Sequence, residues 1–154
     1  MKNGGMNIMR RRASREFVMK LVYQMLIHKN DLKDVVDDSL KKQEHFLDVG
    51  YMESIIYGIM SSNDELNKII ENNLKGWKLS RISKIDLAIL QIAVYEITKM
   101  EDIPDNVTIN EAVELAKKYS CSESASFING VLSNVLSLHA HKVNNIQEDG
   151  HDTL

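Results

Sequence analysis

The sequence predicts an all-α fold of about seven helices, and two observations support that prediction. Apolar residues recur at the three- and four-residue spacing of helices, without strand-like alternation and without an internal repeat. The chain of 154 residues also holds only one proline and seven glycines, which leaves long segments uninterrupted. We expect one domain of two helical bundles, at about residues 9–75 and 80–139, packed around a central buried helix at about residues 83–99.

The central helix is predicted because nine residues between Ile85 and Ile97 are apolar and cover nearly every direction of a helical wheel. Such a helix must be surrounded by other helices, and this one is too short and too often interrupted by polar residues to span a membrane. Ser83 and Asp86 have the pattern of a capping box at its start. Its polar residues should be satisfied inside the fold or emerge where a partner binds: Asp86, Gln91, Tyr95 and Glu96.

The N-terminal bundle follows from apolar stripes and the residues that interrupt them. A mobile arm is predicted at residues 1–8, because this segment has no helical period. The Asn30-Asp31 pair ends the first helix, and Ser62 with Glu65 has the pattern of a capping box that opens the fourth. The four helices are predicted at about residues 11–28, 32–45, 49–61 and 62–74.

The C-terminal bundle is predicted in the same way. Pro104 follows the end of the central helix, since proline removes a hydrogen-bond donor. Thr108 should open the next helix, which continues to Tyr119, and Glu111 is interpreted as its capping partner. The chain then continues as a turn, a last helix and a disordered polar tail, at residues 120–124, about 125–139 and 140–154.

Composition is that of an ordinary soluble globular protein, with 44% hydrophobic and 27% charged residues. No segment resembles a signal peptide, and the single cysteine, Cys121, excludes an internal disulfide, so we expect a cytoplasmic protein without a membrane partner. Residues 1–20 hold six bases and one acid and carry +5, which leaves −8 for the rest because the whole chain carries −3. A basic end on an acidic body indicates an anionic partner at one place.

An arginine cluster at the start of the first predicted helix is the sharpest chemical signal: Arg10, Arg11, Arg12 and Arg15. Guanidinium groups bind phosphates bidentately, and a helix N-terminus itself favours anions, so the dipole there disfavours arginines placed for stability alone. Tyr23 lies about two turns beyond Arg15, where its ring could stack on an unpaired base. The alternative interpretation is a basic N-terminus that is merely solvated.

No catalytic, metal or cofactor site is predicted. Glu111 and Glu114 have no evident apolar pocket around them. His139 and His141 are two positions apart on a helix and face different ways, so a metal pair is disfavoured. Cys121 has no nearby histidine in sequence and is interpreted as a structural thiol. A glycine-rich phosphate loop is also missing from the sequence.

Several motifs, most of them in the C-terminal half, point to a known family when they are taken together. They are Ile85-Asp86, Ile89-Leu90, Ile92 to Glu96, Ile103-Pro104, Ile109 to Lys117 and Phe127 to Leu132. With the arginine cluster before them, they resemble the NusB family of transcription antitermination factors, from the arginines to about Leu138. The resemblance implies an all-helical fold of two packed bundles and no catalysis.

The resemblance also implies a function. Family members bind a short single-stranded RNA element, boxA, as a heterodimer with ribosomal protein S10. That complex joins elongating RNA polymerase, suppresses termination and supports ribosomal RNA transcription. A related module precedes some RNA cytosine methyltransferases, but this chain has no room for a catalytic domain. Whether the free chain forms a homodimer stays open.

Site residues are carried over from the resemblance by position in this sequence. RNA contacts are expected at the four arginines, at Tyr23 beside them, and near the turn before the last helix: Arg10, Arg11, Arg12, Arg15, Tyr23, Glu123 and Phe127. Lys20 belongs to the same basic end and is included. Asp86 corresponds to an acidic position that faces S10, and Tyr95 is the second candidate partner contact. One extra residue separates the arginine run from Arg15, which leaves open which arginines point at RNA. The alternative is a helical protein–protein adaptor whose arginines only aid solubility.

Overall fold

The computed structural model describes the backbone of residues 3–29 and 33–149, and the side chains of residues 5, 7–29 and 33–140. Within these ranges it contains six helices and no strand, which confirms the all-α prediction. A single 3-10 turn, Leu79–Arg81, precedes the fourth helix. The helices are α1 (Asn3–His28), α2 (Lys33–Lys42), α3 (Val49–Asn72), α4 (Lys84–Lys99), α5 (Asp105–Tyr119) and α6 (Ser122–Asp149).

The central helix of the prediction is α4, and it lies at the centre of the fold. Eleven of its sixteen residues are buried. It packs against α1 and α3 on one side and against α5 and α6 on the other, while α2 packs on α3. Ser83 caps α4 as expected, because its Oγ accepts a hydrogen bond from the Asp86 backbone N–H at 3.2 Å. The two helical groups therefore share one apolar helix, which is the arrangement that the sequence predicted.

Two predicted helices are joined in α3. Ser62 lies inside α3 with non-helical backbone angles (φ −117°, ψ 20°), so the predicted capping box at Ser62 is a kink within one helix. A second constraint on α3 is Gly58, where a Cβ atom would overlap the ring of Tyr95. The helices α3 and α4 therefore approach each other closely there, and Tyr95 packs against α3 while remaining half-buried.

Both ends of the described chain are more helical than expected. Helix α1 begins at Asn3, within the predicted arm, and α6 continues to Asp149, within the predicted tail. A helix that has formed extends at little cost until a residue breaks it, and neither segment contains a proline. Residues 1–2 and 150–154, which belong to the same predictions, lie outside the described residues.

The starts of α5 and α6 correct two further predictions. Helix α5 begins at Asp105, directly after Pro104, so Thr108 lies inside the helix and is not its cap. Proline suits the position before the first turn because its φ is already near the helical value. Helix α6 begins at Ser122, so Glu123 belongs to its first turn and not to a preceding loop. Among the described helices none is long and apolar enough to cross a membrane.

Candidate nucleic-acid interface

Arg15 is buried in an ion pair at the junction of four helices. Its side chain is 4% exposed, and its Nε and Nη2 atoms each donate to a carboxylate oxygen of Glu96 at 2.8 Å. Glu96 accepts two further hydrogen bonds, from the Tyr51 hydroxyl at 2.8 Å and from the Thr108 hydroxyl at 3.0 Å. Residues of α1, α3, α4 and α5 thus share one fully bonded carboxylate.

The electrostatics of this cluster keep Arg15 charged. Burial acts to lower the pKa of Arg15, but the hydrogen bonds and charge of Glu96 outweigh it and hold that pKa above its ordinary value. Burial, and then the charge of Glu96, raise the pKa of the Tyr51 hydroxyl, which therefore remains a donor. The guanidinium is thus enclosed among the four helices. Contact of Arg15 with RNA stays a prediction, and the surface described below does not include it.

Arg12 lies on the surface, but it also has a carboxylate partner. Its Nη2 donates to Glu111 Oε1 at 2.8 Å and its Nε donates to Oε2 at 3.1 Å, while the Arg12 side chain remains 61% exposed. Glu111 also lies 3.9 Å from the Arg15 guanidinium. The interpretation of Glu111 as a capping partner is therefore wrong, because its carboxylate holds α5 to α1. The hydrogen bond to Glu111 raises the pKa of Arg12.

Arg11 has a carboxylate partner, whereas Arg10 has none among the described residues. Arg11 donates from Nε to Asp48 Oδ2 at 3.0 Å and lies 4.5 Å from the centroid of the Tyr51 ring. Asp48 is also the N-cap of α3 and accepts from the Tyr51 backbone N–H, so Arg11 ties α1 to the start of α3. Arg10 is exposed and forms no ion pair with the described residues. Since α1 begins at Asn3, all four arginines lie beyond its first turn, and the argument from the helix dipole does not apply to them.

The side of α1 that faces α5 carries further charged and aromatic residues beyond Arg12. Glu16 accepts hydrogen bonds from the Lys118 ammonium at 2.9 Å and from the Tyr119 hydroxyl. Lys20 is exposed and lies 5.6 Å from the centroid of the Tyr119 ring. Tyr23 follows Glu16 by seven residues, which places it on this flank and not on the buried face of Arg15. It is half-buried against the core.

The start of α6 joins this flank to the start of α4. The Ser124 hydroxyl donates to Asp86 Oδ2 at 2.7 Å, and it also accepts a hydrogen bond from the Ser120 hydroxyl. Asp86 is 6% exposed, and its other oxygen, Oδ1, has no hydrogen-bond partner among the described residues. Hydrogen bonding between Cys121 and Ser124, which includes the Ser124 backbone N–H donating to Sγ, lowers the pKa of the exposed Cys121 thiol. Contact of Asp86 or Tyr95 with a partner protein stays a prediction.

Phe127 lies one turn beyond Glu123 and packs on a residue that the sequence reasoning did not assign. Glu123 is exposed, and Phe127 is half-buried. The Trp77 ring lies 6.4 Å from the Phe127 ring, centroid to centroid, with an angle of 57° between the planes. Trp77 is 59% exposed. The exposure of a side chain cannot be derived from the sequence alone, so the sequence did not single out Trp77.

These contacts connect four of the eight residues that were predicted to bind RNA. A continuous series of contacts leads from Arg12 to Glu111, along α5 to Tyr119 and Glu16, and on through the adjoining turn to Ser124. The same end of α6 then presents Glu123, Phe127 and the neighbouring Trp77. Arg12, Lys20, Glu123 and Phe127 thus lie on connected surface elements, whereas Arg15 lies beneath them and Arg11 on the side of α3. The arrangement can offer cations and aromatic rings to one polyanion.

A groove of about 810 Å³ lies between the end of α1, the kink of α3 and the start of α4. Its walls are mostly apolar, and its floor is an amide cluster in which Gln91 donates to Asn63 and Asn67 at 3.0 and 2.8 Å. Gln91, a polar residue of the central helix, is thus satisfied internally. Within the described side chains, which do not include His141, no group of histidine, cysteine and carboxylate residues could hold a metal ion.

Comparison with known proteins gives one family. The NusB family model matches residues 12–137 of this chain. The transcription antitermination protein NusB of Acetivibrio thermocellus is 46% identical over 145 residues, which cover 94% of this chain and 97% of that protein.

Two solved structures are similar in fold. The structure of T. maritima NusB has a TM-score of 0.76 and 32% identity, and the match covers 84% of this chain and 92% of that one. A chain from a crystal structure of antitermination factors NusB and NusE in complex with double-stranded RNA has a TM-score of 0.73 over 82% of this chain and 96% of its own length. At 18% identity, the second similarity concerns the fold alone.

Proposed function

The chain belongs to the NusB family of transcription antitermination proteins, and from that premise we propose that it binds single-stranded boxA RNA of nascent transcripts together with ribosomal protein S10. In this proposal the complex joins elongating RNA polymerase in the cytoplasm, suppresses termination and supports ribosomal RNA synthesis. The chain supplies binding surfaces and performs no catalysis. NusE, which is the S10 of this proposal, accompanies NusB and double-stranded RNA in one of the similar structures.

The single observation that supports RNA binding best is the connected surface between Arg12 and Phe127. It combines exposed cations, Arg12 and Lys20, with two aromatic rings, Tyr23 and Phe127, at its edge. Proteins that bind single strands combine cations along the backbone with rings on which bases stack. Arg10 adds an exposed guanidinium about half a turn away on α1, and we propose Arg10, Arg12 and Lys20 as the phosphate contacts.

The proposal includes an exchange of partners at Arg12. The guanidinium is bidentate on Glu111 in the free protein, and a phosphate offers the same two-oxygen geometry. The Arg12 guanidinium is 61% exposed and open to a phosphate, while Glu111, whose side chain is 12% exposed, keeps the Arg15 guanidinium at 3.9 Å as a partner. An RNA phosphate can therefore take the place of Glu111 on Arg12 without disturbing the core.

The test is a titration of boxA RNA in a filter-binding assay at several salt concentrations. We expect Arg10→Ala/Arg12→Ala to weaken binding and to flatten the dependence of log K on log salt by about 0.7 for each phosphate that is no longer bound. The matched control is Lys41→Ala/Lys42→Ala on α2, which removes the same charge from exposed positions outside the proposed surface. A slope that stays unchanged in the arginine variant, or falls equally in the lysine variant, would contradict the proposal.

A second candidate function is a protein–protein adaptor that does not bind RNA. The ion pairs favour it, because three of the four clustered arginines already have carboxylate partners: Arg11, Arg12 and Arg15. A pull-down with S10, performed with and without boxA RNA, separates the two candidates. If both ligands bind cooperatively, linkage requires that RNA increases the capture of S10, whereas the adaptor predicts equal capture.

A further inference from the structure

The segment that leads from the end of α3 to the first residue of α4, residues 75–84 and here called the connector, is a second basic region that the predicted site did not include. It holds four cations and no acidic residue: Lys75, Lys78, Arg81 and Lys84. All four are exposed, and none of them forms an ion pair with the part of the chain that the structure describes. In the arginine cluster of α1 the opposite holds, because three of its four members are paired. The connector therefore offers more unpaired positive charge than the arginine cluster of α1.

The connector also presents an aromatic ring. Trp77 is the only tryptophan of the chain and is 59% exposed. Its ring contacts the Phe127 ring at an angle of 57° between the planes. This contact leaves more than half of the Trp77 side chain open to solvent. Tryptophan has the largest stacking surface among the side chains, and it is enriched at interfaces.

The backbone of the connector is held in place at both ends. Leu74 and Ile82 are buried, each 8% exposed. Between them a 3-10 turn is closed by hydrogen bonds from the Arg81 and Ile82 backbone N–H groups, at 3.0 and 3.2 Å. Gly76 has a positive φ of 77°, which directs the chain outward before Trp77. A ligand therefore meets cations on a backbone that is already ordered, and the entropy cost of binding there is small.

We propose that this connector is a second contact region for the same single-stranded RNA, in which its cations bind phosphates and Trp77, with Phe127, stacks on an unpaired base. The inference rests on the proposed function, because Phe127 is the residue where the two regions meet. Free cations next to an open aromatic ring fit a polynucleotide better than an acidic protein surface, since every base has a face for stacking and every nucleotide brings a phosphate.

The single tryptophan gives a direct measurement. We expect the intrinsic fluorescence of the full chain to be quenched when a boxA oligonucleotide is titrated, because a stacked base perturbs the indole. Trp77→Ala should weaken binding by about 5- to 150-fold, the range expected for one stacked base, and Trp77→Phe should retain most of the affinity. Circular dichroism of both variants checks that the helices are intact.

The phosphate contacts are tested by charge removal. Lys78→Ala/Arg81→Ala should lower the salt slope by about 1.4, which is about 0.7 for each of two phosphates. The control is again Lys41→Ala/Lys42→Ala, which carries the same charge change on α2 and should bind as the unaltered chain does.

The outcomes separate the two proposals. One outcome is that Arg10→Ala/Arg12→Ala weakens RNA binding, while the connector variants bind as the unaltered chain does and RNA does not quench the Trp77 fluorescence. The connector inference is then overturned and the proposed function stands. If the connector variants lose S10 in a pull-down while RNA binding is unchanged, the region belongs to a protein partner and the inference is again wrong. If the unaltered chain binds no RNA, alone or with S10, both proposals fail.

Discussion

The arginine cluster of α1 and the connector at residues 75–84 carry similar charge but use it differently. Three of the clustered arginines pair with carboxylates of α4, α5 and the N-cap of α3: Arg11 with Asp48, Arg12 with Glu111 and Arg15 with Glu96. The four connector cations are exposed and unpaired within the described chain. A run of arginines in the sequence therefore shows how much positive charge a segment carries. Whether that charge is free to bind a ligand depends on which carboxylates the fold places beside the arginines.

The two regions also differ in what holds them. In the cluster, the ionic side chains themselves join the helices, and Arg15 does so from inside the core. In the connector, apolar residues at the ends, Leu74 and Ile82, are buried while the four cations are exposed. Mutations in the cluster should therefore affect stability first, and mutations in the connector should affect ligand binding first. The following predictions test that difference.

The largest effect is expected at Arg15. Replacement by Met leaves the Glu96 carboxylate buried without its charge partner, which costs about 3–5 kcal/mol of unfolding free energy. The double variant Arg15→Met/Glu96→Gln should lose less, because the amide that replaces the carboxylate is neutral and its oxygen still accepts from Tyr51 and Thr108. Urea denaturation measures both variants. Equal losses in the single and the double variant would show that the ion pair does not anchor the cluster.

Tyr51 makes the same core sensitive to alkaline pH. Burial and the Glu96 charge raise its pKa above the ordinary value of 10.0, so the folded chain binds the hydroxyl proton more tightly than the unfolded chain. The resulting stabilisation is complete below pH 10 and is lost progressively as the pH rises further. Tyr51→Phe should cost about 1–2 kcal/mol at neutral pH, since the Glu96 oxygen loses a donor, and should reduce the alkaline loss. Unfolding of the unaltered chain and of Tyr51→Phe, measured from neutral pH to about one unit above the ordinary tyrosine pKa, tests this.

An intermediate effect is expected at the Arg12–Glu111 pair. Glu111→Gln removes the carboxylate that competes for Arg12, so RNA binding should become tighter while the salt slope stays unchanged, because Arg12 binds one phosphate in both complexes. The same titration of Glu114→Gln, which removes an exposed charge from α5 without freeing Arg12, is the control. Unchanged or weaker binding in the Glu111 variant would show that Arg12 serves packing of α1 on α5.

The smallest effect on stability is expected in the connector. Lys78→Ala/Arg81→Ala should change the unfolding free energy by less than about 0.5 kcal/mol, because both side chains are exposed and unpaired within the described chain. Thermal unfolding gives the measurement. A large loss of stability would place these cations among the groups that hold the fold and would remove the contrast with α1.

Much of the fold could be predicted from the sequence because helical signals are local. The apolar pattern of residues 83–99 predicted the buried helix, and Ser83 predicted its cap, as the structure confirms. The errors concern boundaries. Ser62 and Thr108 have the residue pattern of caps, yet Ser62 lies at a kink and the Thr108 hydroxyl bonds to Glu96. A capping pattern identifies a side chain that can bond locally, and a buried acceptor elsewhere in the chain can take that bond instead.

The candidate site was only partly predictable. The sequence indicated a basic, anion-binding N-terminal end and named Phe127 by resemblance. It placed Arg15 among the RNA contacts, and it left Trp77 without a role. The burial of Arg15 and the exposure of Trp77 depend on how helices pack and not on the residue types nearest in the chain.

The sequence by itself determined that the chain is helical, that one apolar helix lies at its centre and that it resembles one family. These properties depend on residue patterns that extend over only a few positions. Only the tertiary structure decided which charges are free. The partners of Arg11, Arg15 and Arg12 are 37, 81 and 99 residues away in sequence. Charges so far apart are brought within hydrogen-bond distance by helix packing alone, so no local pattern could identify them.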